Sequence, residues 1–323
     1  MSNYLLSHDW KVIGLDAITD YYDVNLKKSR HRILKKKNNF YGYVGFVQDN
    51  ELLESIYNIH KPNIIIHLAA QAGVRYSIDS PASYVEANLL GTFHILEMAR
   101  KHKPDHLLMA STSSVYGNNK QMPFDEQQKS DTPISFYAAT KKSNEVMCHS
   151  YSHLFNIPTT IFRFFTVYGS WGRPDMALFK FTKNILSGKA IDIYNYGNMK
   201  RDFTNIHDLV HAINLLIKAI PLEPIKRKSK IQSDSISETA PYRIVNIGNS
   251  KSINLLDYIT ELEKVIGKKA KKNFLPIQGG ELVDTSSNID LLKILTGFSP
   301  KKNLKEGILE FVDWYKDYYL NIK

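Results

Sequence analysis

Tyr137 and Lys141 are the residues whose types and spacing most directly suggest chemistry. They stand four apart in the run Tyr-Ala-Ala-Thr-Lys, so on a helix their side chains share one face. An ammonium group within a few ångströms of a phenol favours the phenolate and lowers the phenol pKa from its usual value of about 10. The pair is therefore predicted to exchange a proton with a substrate hydroxyl group near neutral pH.

A cluster of hydroxyl side chains precedes this pair. The apolar run 106–109 predicts a strand, and Ser-Thr-Ser-Ser follows at 111–114. Thr112 is thus expected at the C-terminal end of a strand, where open α/β sheets bind their ligands. Tyr-x-x-x-Lys alone is a weak pattern, and two surface residues at this spacing are the alternative. The separation of 25 residues between Thr112 and Tyr137 favours the catalytic interpretation, because it resembles the hydroxyl–tyrosine–lysine triad of extended short-chain dehydrogenases/reductases.

The elements that must position these residues follow from the hydrophobic pattern. Short apolar strands alternate with longer amphipathic stretches through residues 1–165, which predicts an α/β, doubly wound (Rossmann-type) parallel sheet. In residues 166–323 the pattern loosens and predicts mainly a smaller α/β substrate lobe, with some segments returning to the sheet. Strands are expected at 11–15, 63–68, 106–109, 159–163, 191–194 and 242–247, helices at 179–186, 208–219, 255–266 and 304–319, and a polar surface loop at 229–240.

The beginning of the chain departs from the usual dinucleotide-binding pattern, which is a strand, a glycine-rich turn and a helix that holds the pyrophosphate. Residues 1–10 are instead predicted to be the end of that helix. Asp16, at the end of the next strand, is predicted to accept the ribose hydroxyls of a dinucleotide, with a simple turn residue as the alternative. We therefore expect the sheet to lack its first strand and the chain to bind such a cofactor poorly or not at all.

Composition limits the class of protein. The chain has 323 residues, a net charge of +10 and one cysteine, Cys148, which excludes an internal disulfide and a cysteine-rich metal site; no metal is predicted. Without an apolar run of membrane-spanning length or a signal peptide, a cytoplasmic protein without a membrane partner is expected. The lysine-rich segments 27–37, 226–230 and 268–272 are separate, so solvated surfaces are favoured over nucleic-acid binding. A positive charge also suits a doubly anionic substrate.

Long runs of residues carry a family resemblance. From Tyr4 to the C-terminal helix the chain resembles nucleotide-sugar epimerases of the extended short-chain dehydrogenase/reductase superfamily, and most closely UDP-glucuronate 4-epimerases. The runs are Gly14-Leu15-Asp16, His-Leu-Ala-Ala-Gln-Ala-Gly-Val-Arg-Tyr-Ser at 67–77, Arg-Phe-Phe-Thr-Val-Tyr-Gly-Ser-Trp-Gly-Arg-Pro-Asp-Met-Ala at 163–177 and Lys-Arg-Asp-Phe-Thr-Asn-Ile-His-Asp at 200–208.

The resemblance implies NAD as the cofactor, a UDP-sugar as the substrate and a homodimer formed through two helices. It implies that Thr112 bonds the sugar 4-hydroxyl, that Tyr137 is the acid/base, and that Lys141 holds the nicotinamide ribose and tunes Tyr137. The remaining implied roles are the cofactor cleft for Ala69 and Ala70, the sugar carboxylate for Thr166 and Arg173, the diphosphate for Arg201, and a weaker anion contact for Arg75.

The reaction that the resemblance implies is epimerisation of UDP-glucuronate to UDP-galacturonate at C4 through a 4-keto sugar. A 4,6-dehydratase is disfavoured because Ser113 and Ser114, and not an Asp-Glu pair, follow Thr112. A decarboxylase acting on the same substrate, a UDP-glucose or UDP-N-acetylglucosamine 4-epimerase, and a non-catalytic remnant that binds nucleotide sugars stay open as alternatives.

Overall fold

The computed structural model describes residues 1–227 and 233–320. The strands are β1 Val12–Asp16, β2 Phe40–Val44, β3 Ile64–His67, β4 His106–Thr112, β5 Thr159–Phe164, β6 Thr166–Tyr168, β7 Ala190–Ile193, β8 Lys200–Asn205, β9 Tyr242–Ile247, β10 Ser252–Asn254 and β11 Lys271–Phe274. The helices are α1 Ser2–Leu6, α2 Val24–Lys35, α3 Asn50–His60, α4 Tyr76–Asp79, α5 Pro81–Tyr84, α6 Gly91–His102, α7 Phe136–Phe155, α8 Ala177–Leu186, α9 Ile206–Lys218, α10 Leu255–Ile266, α11 Asp290–Thr296 and α12 Leu304–Tyr319.

Parallel strands form the centre of the molecule. Four of them make one sheet in the order β3-β4-β5-β9, and β1 and β2 pair in a separate parallel sheet. The expected α/β fold with parallel strands is confirmed. No described strand joins β1 to β3.

The strand β4 lies inside the sheet because its sequence is compatible with burial on both faces. All seven of its residues are buried, as expected for a central parallel strand covered by helices on both sides. On one face Met109 contacts Cys148 of α7, so the lone cysteine is a buried core thiol. On the other face Leu108 packs in a cluster with Ile213 of α9. The C-terminal end of β4, with its hydroxyl groups, is thereby fixed beneath α7.

The second half of the chain builds a lobe beside the end of this sheet. Short strands pair as β10-β8-β6 and as β11-β7, and the helices α8, α10 and α12 close over a core that includes Phe179, Tyr258 and Phe311. Strand β9 leaves the lobe and pairs with β5 in the main sheet. The boundary at residue 165 stays a prediction.

The structure contains strands that the sequence analysis did not predict, namely β2, β6, β8, β10 and β11. Of the predicted loop 229–240, residues 233–240 form no helix or strand. Residues 229–232 lie outside the described residues, as do residues 228–230 of one lysine-rich segment.

None of the described helices combines the length and the hydropathy needed to cross a membrane.

Candidate active site

Helix α7 carries Tyr137 and Lys141 at its first two turns. The helix begins after Ser135, whose side chain accepts the backbone N–H of Ala138 at 3.2 Å, satisfying one of the free amide groups of the helix end. Tyr137 is partly buried and Lys141 is 3% exposed. The cap therefore fixes the start of the helix that carries the phenol and the ammonium. Both residues lie on one helix, as their spacing predicted.

The charge on Tyr137 is controlled differently from the expectation. Burial raises the pKa of Tyr137, and the positive charge of Arg173 and a hydrogen bond with Thr112 oppose that rise. Burial lowers the pKa of Lys141 to about 8, against the field of Glu145. The cation that opposes the rise is Arg173, which the tertiary fold brings near the phenol. The influence of Lys141 on the phenol stays a prediction.

Thr112 meets Tyr137 at the end of β4. Its hydroxyl donates to Ser114 Oγ and accepts the Ser114 N–H, both at 3.2 Å, which caps a short 3₁₀ turn at Ser113–Tyr116. Thr112 also lies close enough to the Tyr137 phenol to lower its pKa. Thr112, Tyr137 and Lys141, which were predicted together, therefore converge at one point.

The loop after β3 is tied to the same helix. Asn88 accepts the Gln71 N–H at 2.7 Å and donates to Thr140 Oγ1 at 3.0 Å. This bond places the exposed Ala69 and Ala70 beside the first turns of α7. Small side chains there leave open surface next to Lys141, as a cofactor cleft requires. Asn88 was not singled out from the sequence.

Two further observations bear on whether the residues present fit NAD. Asp16 ends β1 with an exposed carboxylate, and one of its oxygens accepts the Ile18 N–H at 2.7 Å, which leaves the other available for ribose hydroxyls. Among the described residues no hydrogen-bond partner is found for the Lys141 ammonium, so a buried cation remains free to bond a ligand. The residues present therefore fit the cofactor on its ribose and nicotinamide sides.

The two residues expected at the sugar carboxylate lie at the boundary of the lobe. Thr166 starts β6 and pairs with Phe203 of β8. Arg173 forms an ion pair with Asp175 at 3.2 Å, and the Tyr21 hydroxyl donates to the same Asp175 oxygen at 3.4 Å. The other oxygen of Asp175 is buried without a hydrogen-bond partner. Arg173 is thus oriented by a carboxylate that the sequence analysis did not identify.

Arg75 and Arg201 are brought together by Glu281. The Arg75 guanidinium lies 2.6 Å from the Glu281 carboxylate and 4.2 Å from the centre of the Tyr194 ring. Arg201 donates to the Val283 carbonyl at 3.0 Å; burial lowers its pKa, and Glu281 opposes that shift. Both arginines therefore face one loop of the lobe, and Arg75 is already paired with a protein carboxylate.

His67 at the end of β3 has no catalytic geometry. Its ring bonds Thr92 Oγ1 at 3.2 Å, and burial together with the charge of Lys141 lowers its pKa to about 3. It is therefore a neutral, hydrogen-bonded core histidine.

Comparison with known proteins gives consistent matches over nearly the whole chain. The sequence profile of the NAD dependent epimerase/dehydratase family matches residues 1–227. A probable UDP-glucuronate 4-epimerase of Rhizobium meliloti (strain 1021) is 48% identical over 308 residues, covering 95% of this chain and 90% of that protein. The protein CapI of Staphylococcus aureus is 46% identical, covering 99% of this chain and 95% of that protein.

Solved structures agree. The UDP-glucuronic acid 4-epimerase of Bacillus cereus, in complex with UDP-glucuronic acid and NAD, superposes with a TM-score of 0.85 at 32% identity and covers 98% of this chain and 95% of its own. The UDP-glucose 4-epimerase of Thermotoga maritima superposes with a TM-score of 0.82 at 24% identity, a likeness that shows the fold alone.

Proposed function

Since the chain belongs to the NAD dependent epimerase/dehydratase family, we propose that it epimerises UDP-glucuronate to UDP-galacturonate at C4 with NAD as its cofactor. The observation that carries this is the convergence of Thr112, Tyr137 and Lys141 at the end of β4, with Arg173 close enough to act on the Tyr137 phenol. Solved relatives bind UDP-glucuronic acid and NAD, and the chemistry of the residues here fits both.

Each residue of the candidate site has a separate proposed role in the reaction. Thr112 bonds the sugar 4-hydroxyl, and Tyr137 takes its proton and later returns it. Bound NAD would supply the hydride chemistry at C4 of the sugar. Lys141 bonds the nicotinamide ribose, while Asp16 bonds the adenosine ribose and Ala69 and Ala70 line the cleft.

The substrate carboxylate calls for a cation on the sugar side. A guanidinium bonds a carboxylate through two parallel N–H groups, so Arg173 and Thr166 are proposed to hold it. A keto group at C4 places a carbonyl β to this carboxylate, and a fixed carboxylate geometry opposes loss of carbon dioxide. Arg201 is proposed to bind the diphosphate. Arg75 is proposed to bind the diphosphate only when the substrate displaces Glu281 from its ion pair with Arg75.

We further propose that the protein is a cytoplasmic homodimer. Helix α7 exposes Val146 and Leu154 at 60% and 65%, and the neighbouring α6 exposes Phe93 at 41%. Apolar side chains on two adjacent helices support a self-complementary contact between copies.

The test is conversion of UDP-glucuronate to UDP-galacturonate by the purified chain, with bound NAD measured in the same sample. Tyr137→Phe should lose about 10²- to 10⁴-fold in rate. Tyr151→Phe, on the same helix with its hydroxyl on Glu97, is the matched control and should keep the rate. Equal rates for wild type and Tyr137→Phe would exclude the proposed role.

Cofactor affinity needs a separate measurement. The expectation of weak NAD binding stays a prediction, which an NAD titration of the purified chain would test. Tight binding would refute it.

A further inference from the structure

A buried ion pair lies directly behind the proposed catalytic residues. Glu145 follows Lys141 by one turn of α7, so both side chains share a face of the helix. Both are nearly sealed from solvent, at 2% and 3% exposed. The Glu145 carboxylate accepts two bonds from Arg163 of β5, at 2.9 and 2.7 Å. Although burial would raise the Glu145 pKa, Arg163 and its hydrogen bonds hold it at about 2, so this carboxylate is ionised.

The same carboxylate reaches the strand that bears Thr112. Ser111, the residue before Thr112, donates its hydroxyl to Glu145 at 2.6 Å. Lys142 donates to the other carboxylate oxygen at 3.1 Å. Because Thr112 is on β4 whereas Tyr137 and Lys141 are on α7, the Ser111–Glu145 bond joins the two elements that the site needs in register.

We propose that Glu145 is a positioning residue for the proposed reaction: it fastens the end of β4 to α7 and supplies the negative charge that keeps the buried Lys141 ammonium protonated. The inference rests on the proposed function in taking Lys141 as the cation that the site requires. An ammonium group is costly to bury without a compensating charge. Cys148 and Glu145 are the two groups whose charge would oppose the effect of burial on Lys141, and only Glu145 is ionised at neutral pH, because burial raises the pKa of the Cys148 thiol.

The other groups that surround this pair do not replace it. His67 of β3 is neutral, and burial raises the pKa of the Cys148 thiol, so it is neutral too. Arg163 and Lys142 are cations. Tyr242 of β9 donates its hydroxyl to the Glu145 backbone carbonyl at 3.1 Å and, with its pKa raised by burial, carries no charge.

The test reads the Lys141 pKa directly, without turnover. Lysine labelled with ¹³C at Cε is titrated by NMR, and the Lys141 signal is assigned by its absence from Lys141→Met. In wild type it should titrate at about 8. In Glu145→Gln it should titrate about one unit lower, because the ammonium loses a nearby opposite charge. A merely loosened structure would move it the other way, towards the value for a solvated lysine.

Matched variants separate charge from structure. Ser111→Ala removes the strand contact but keeps the carboxylate, and Glu145→Asp keeps the charge, so both should leave Lys141 near its wild-type value. If Glu145→Gln does not fold, because Arg163 is left buried and unpaired, the double variant Glu145→Gln/Arg163→Met removes the whole pair, a change that buried pairs often tolerate. An unchanged or raised Lys141 pKa in folded Glu145→Gln, or in the double variant when it is compared with Arg163→Met so that both lack the Arg163 charge, would overturn the inference.

Activity provides an independent readout. If the chain converts UDP-glucuronate, the high-pH decline in rate should move to lower pH in Glu145→Gln and stay in place in Ser111→Ala. A chain without turnover in which the Lys141 titration still shifts would reject the proposed function and leave the role of Glu145 supported. Turnover without a shift of the Lys141 pKa in Glu145→Gln would support the proposed function and reject the role of Glu145.

Discussion

Three cations of the candidate site are associated with protein carboxylates. Lys141 lies a turn from Glu145, Arg173 is paired with Asp175, and Arg75 is paired with Glu281. A substrate carboxylate or diphosphate that binds one of the two arginines must therefore compete with, or share, an existing partner. Such competition lowers affinity for anions but discriminates among them by geometry, because only a ligand that matches the guanidinium fork recovers the lost bonds.

At this residue scale we predict that Arg173 sets the preference for a carboxylate-bearing sugar. Arg173→Gln should reduce kcat/KM for UDP-glucuronate about 10- to 100-fold through loss of a charged hydrogen bond, and should reduce any UDP-glucose conversion less. Thr166→Ala should weaken the same preference. Steady-state kinetics with both sugars measure the ratio. Arg100→Gln on α6 is a suitable exposed control, and an unaltered ratio in Arg173→Gln would contradict the assignment.

Another residue-scale prediction concerns Glu126, which the site does not use. Burial raises the pKa of Glu126 to about 7, while one oxygen accepts the Asn246 N–H at 2.7 Å. A carboxyl group whose folded-state pKa is raised stabilises the fold fully below its unfolded-state pKa, and this contribution is lost as pH rises through about 7. The slope in that window is about 1.4 kcal/mol per pH unit.

Urea unfolding at acidic and mildly alkaline pH measures this effect. In wild type the Glu126 contribution should disappear between the two conditions. Glu126→Gln cannot ionise, so its free energy of unfolding should fall less with rising pH than that of wild type. Parallel pH dependences in the two proteins would show that Glu126 titrates normally.

At the scale of elements, the site depends on how two secondary structures end. Strand β4 stops at Thr112, where the 3₁₀ turn begins, and α7 starts just after Ser135. Both ends are fixed by a side-chain hydroxyl that satisfies a backbone N–H. Thr112 and Tyr137, the groups proposed to react, are thus held at element termini, where these caps define the backbone.

We predict that the cap of α7 affects activity as well as stability. Ser135→Ala should cost about 1 kcal/mol of unfolding free energy and lower kcat, because the first turn that carries Tyr137 frays. Asn254→Ala, which removes the cap of α10 in the lobe, should cost a similar amount and leave kcat unchanged. Chemical denaturation and initial rates distinguish the two. Equal kcat in both variants would mean that the α7 cap is only structural.

At the scale of the whole molecule, the parallel sheet and the lobe meet around the site. Arg75, after β3, reaches Glu281 in the lobe across 206 residues of sequence, and Arg30 of α2 donates to the carbonyls of Trp171 and Gly172 beside Arg173. These contacts help to hold Arg75 and Arg173, both proposed to bind the substrate, at the junction of the sheet and the lobe.

The proposed homodimer gives a prediction at this scale. Val146→Glu places a charge on the exposed apolar stripe of α7 and should shift the protein towards monomer, because a buried unpaired charge opposes association. The control is Ile294→Glu on α11, whose side chain is 55% exposed and lies away from α6 and α7. This variant should keep the molar mass of the wild-type protein in solution. Light scattering after size-exclusion chromatography measures both. A monomeric wild type would refute the dimer.

The sequence by itself determined the features that depend on neighbouring residues. Helices α10 and α12 have the bounds that the pattern predicted, since an amphipathic period and the capping residues Asn254 and Asn303 act locally. The strands that alternate with helices, and the joint placement of Thr112, Tyr137 and Lys141, likewise followed from residue type and spacing. Strands as short as β6 and β10, with three residues each, carry too little period to be recognised.

Only the tertiary structure decided which charges meet. The pairs Arg75–Glu281 and Arg163–Glu145 join separate elements, and the field of Arg173 at Tyr137 depends on where the loop after β6 crosses the end of β4. Electrostatic energies vary with distance and burial, neither of which can be read from the separation along the chain. For this reason the sequence predicted an acid/base and its lysine, whereas the folded chain places Arg173 where it acts on the phenol and Glu145 where it acts on Lys141.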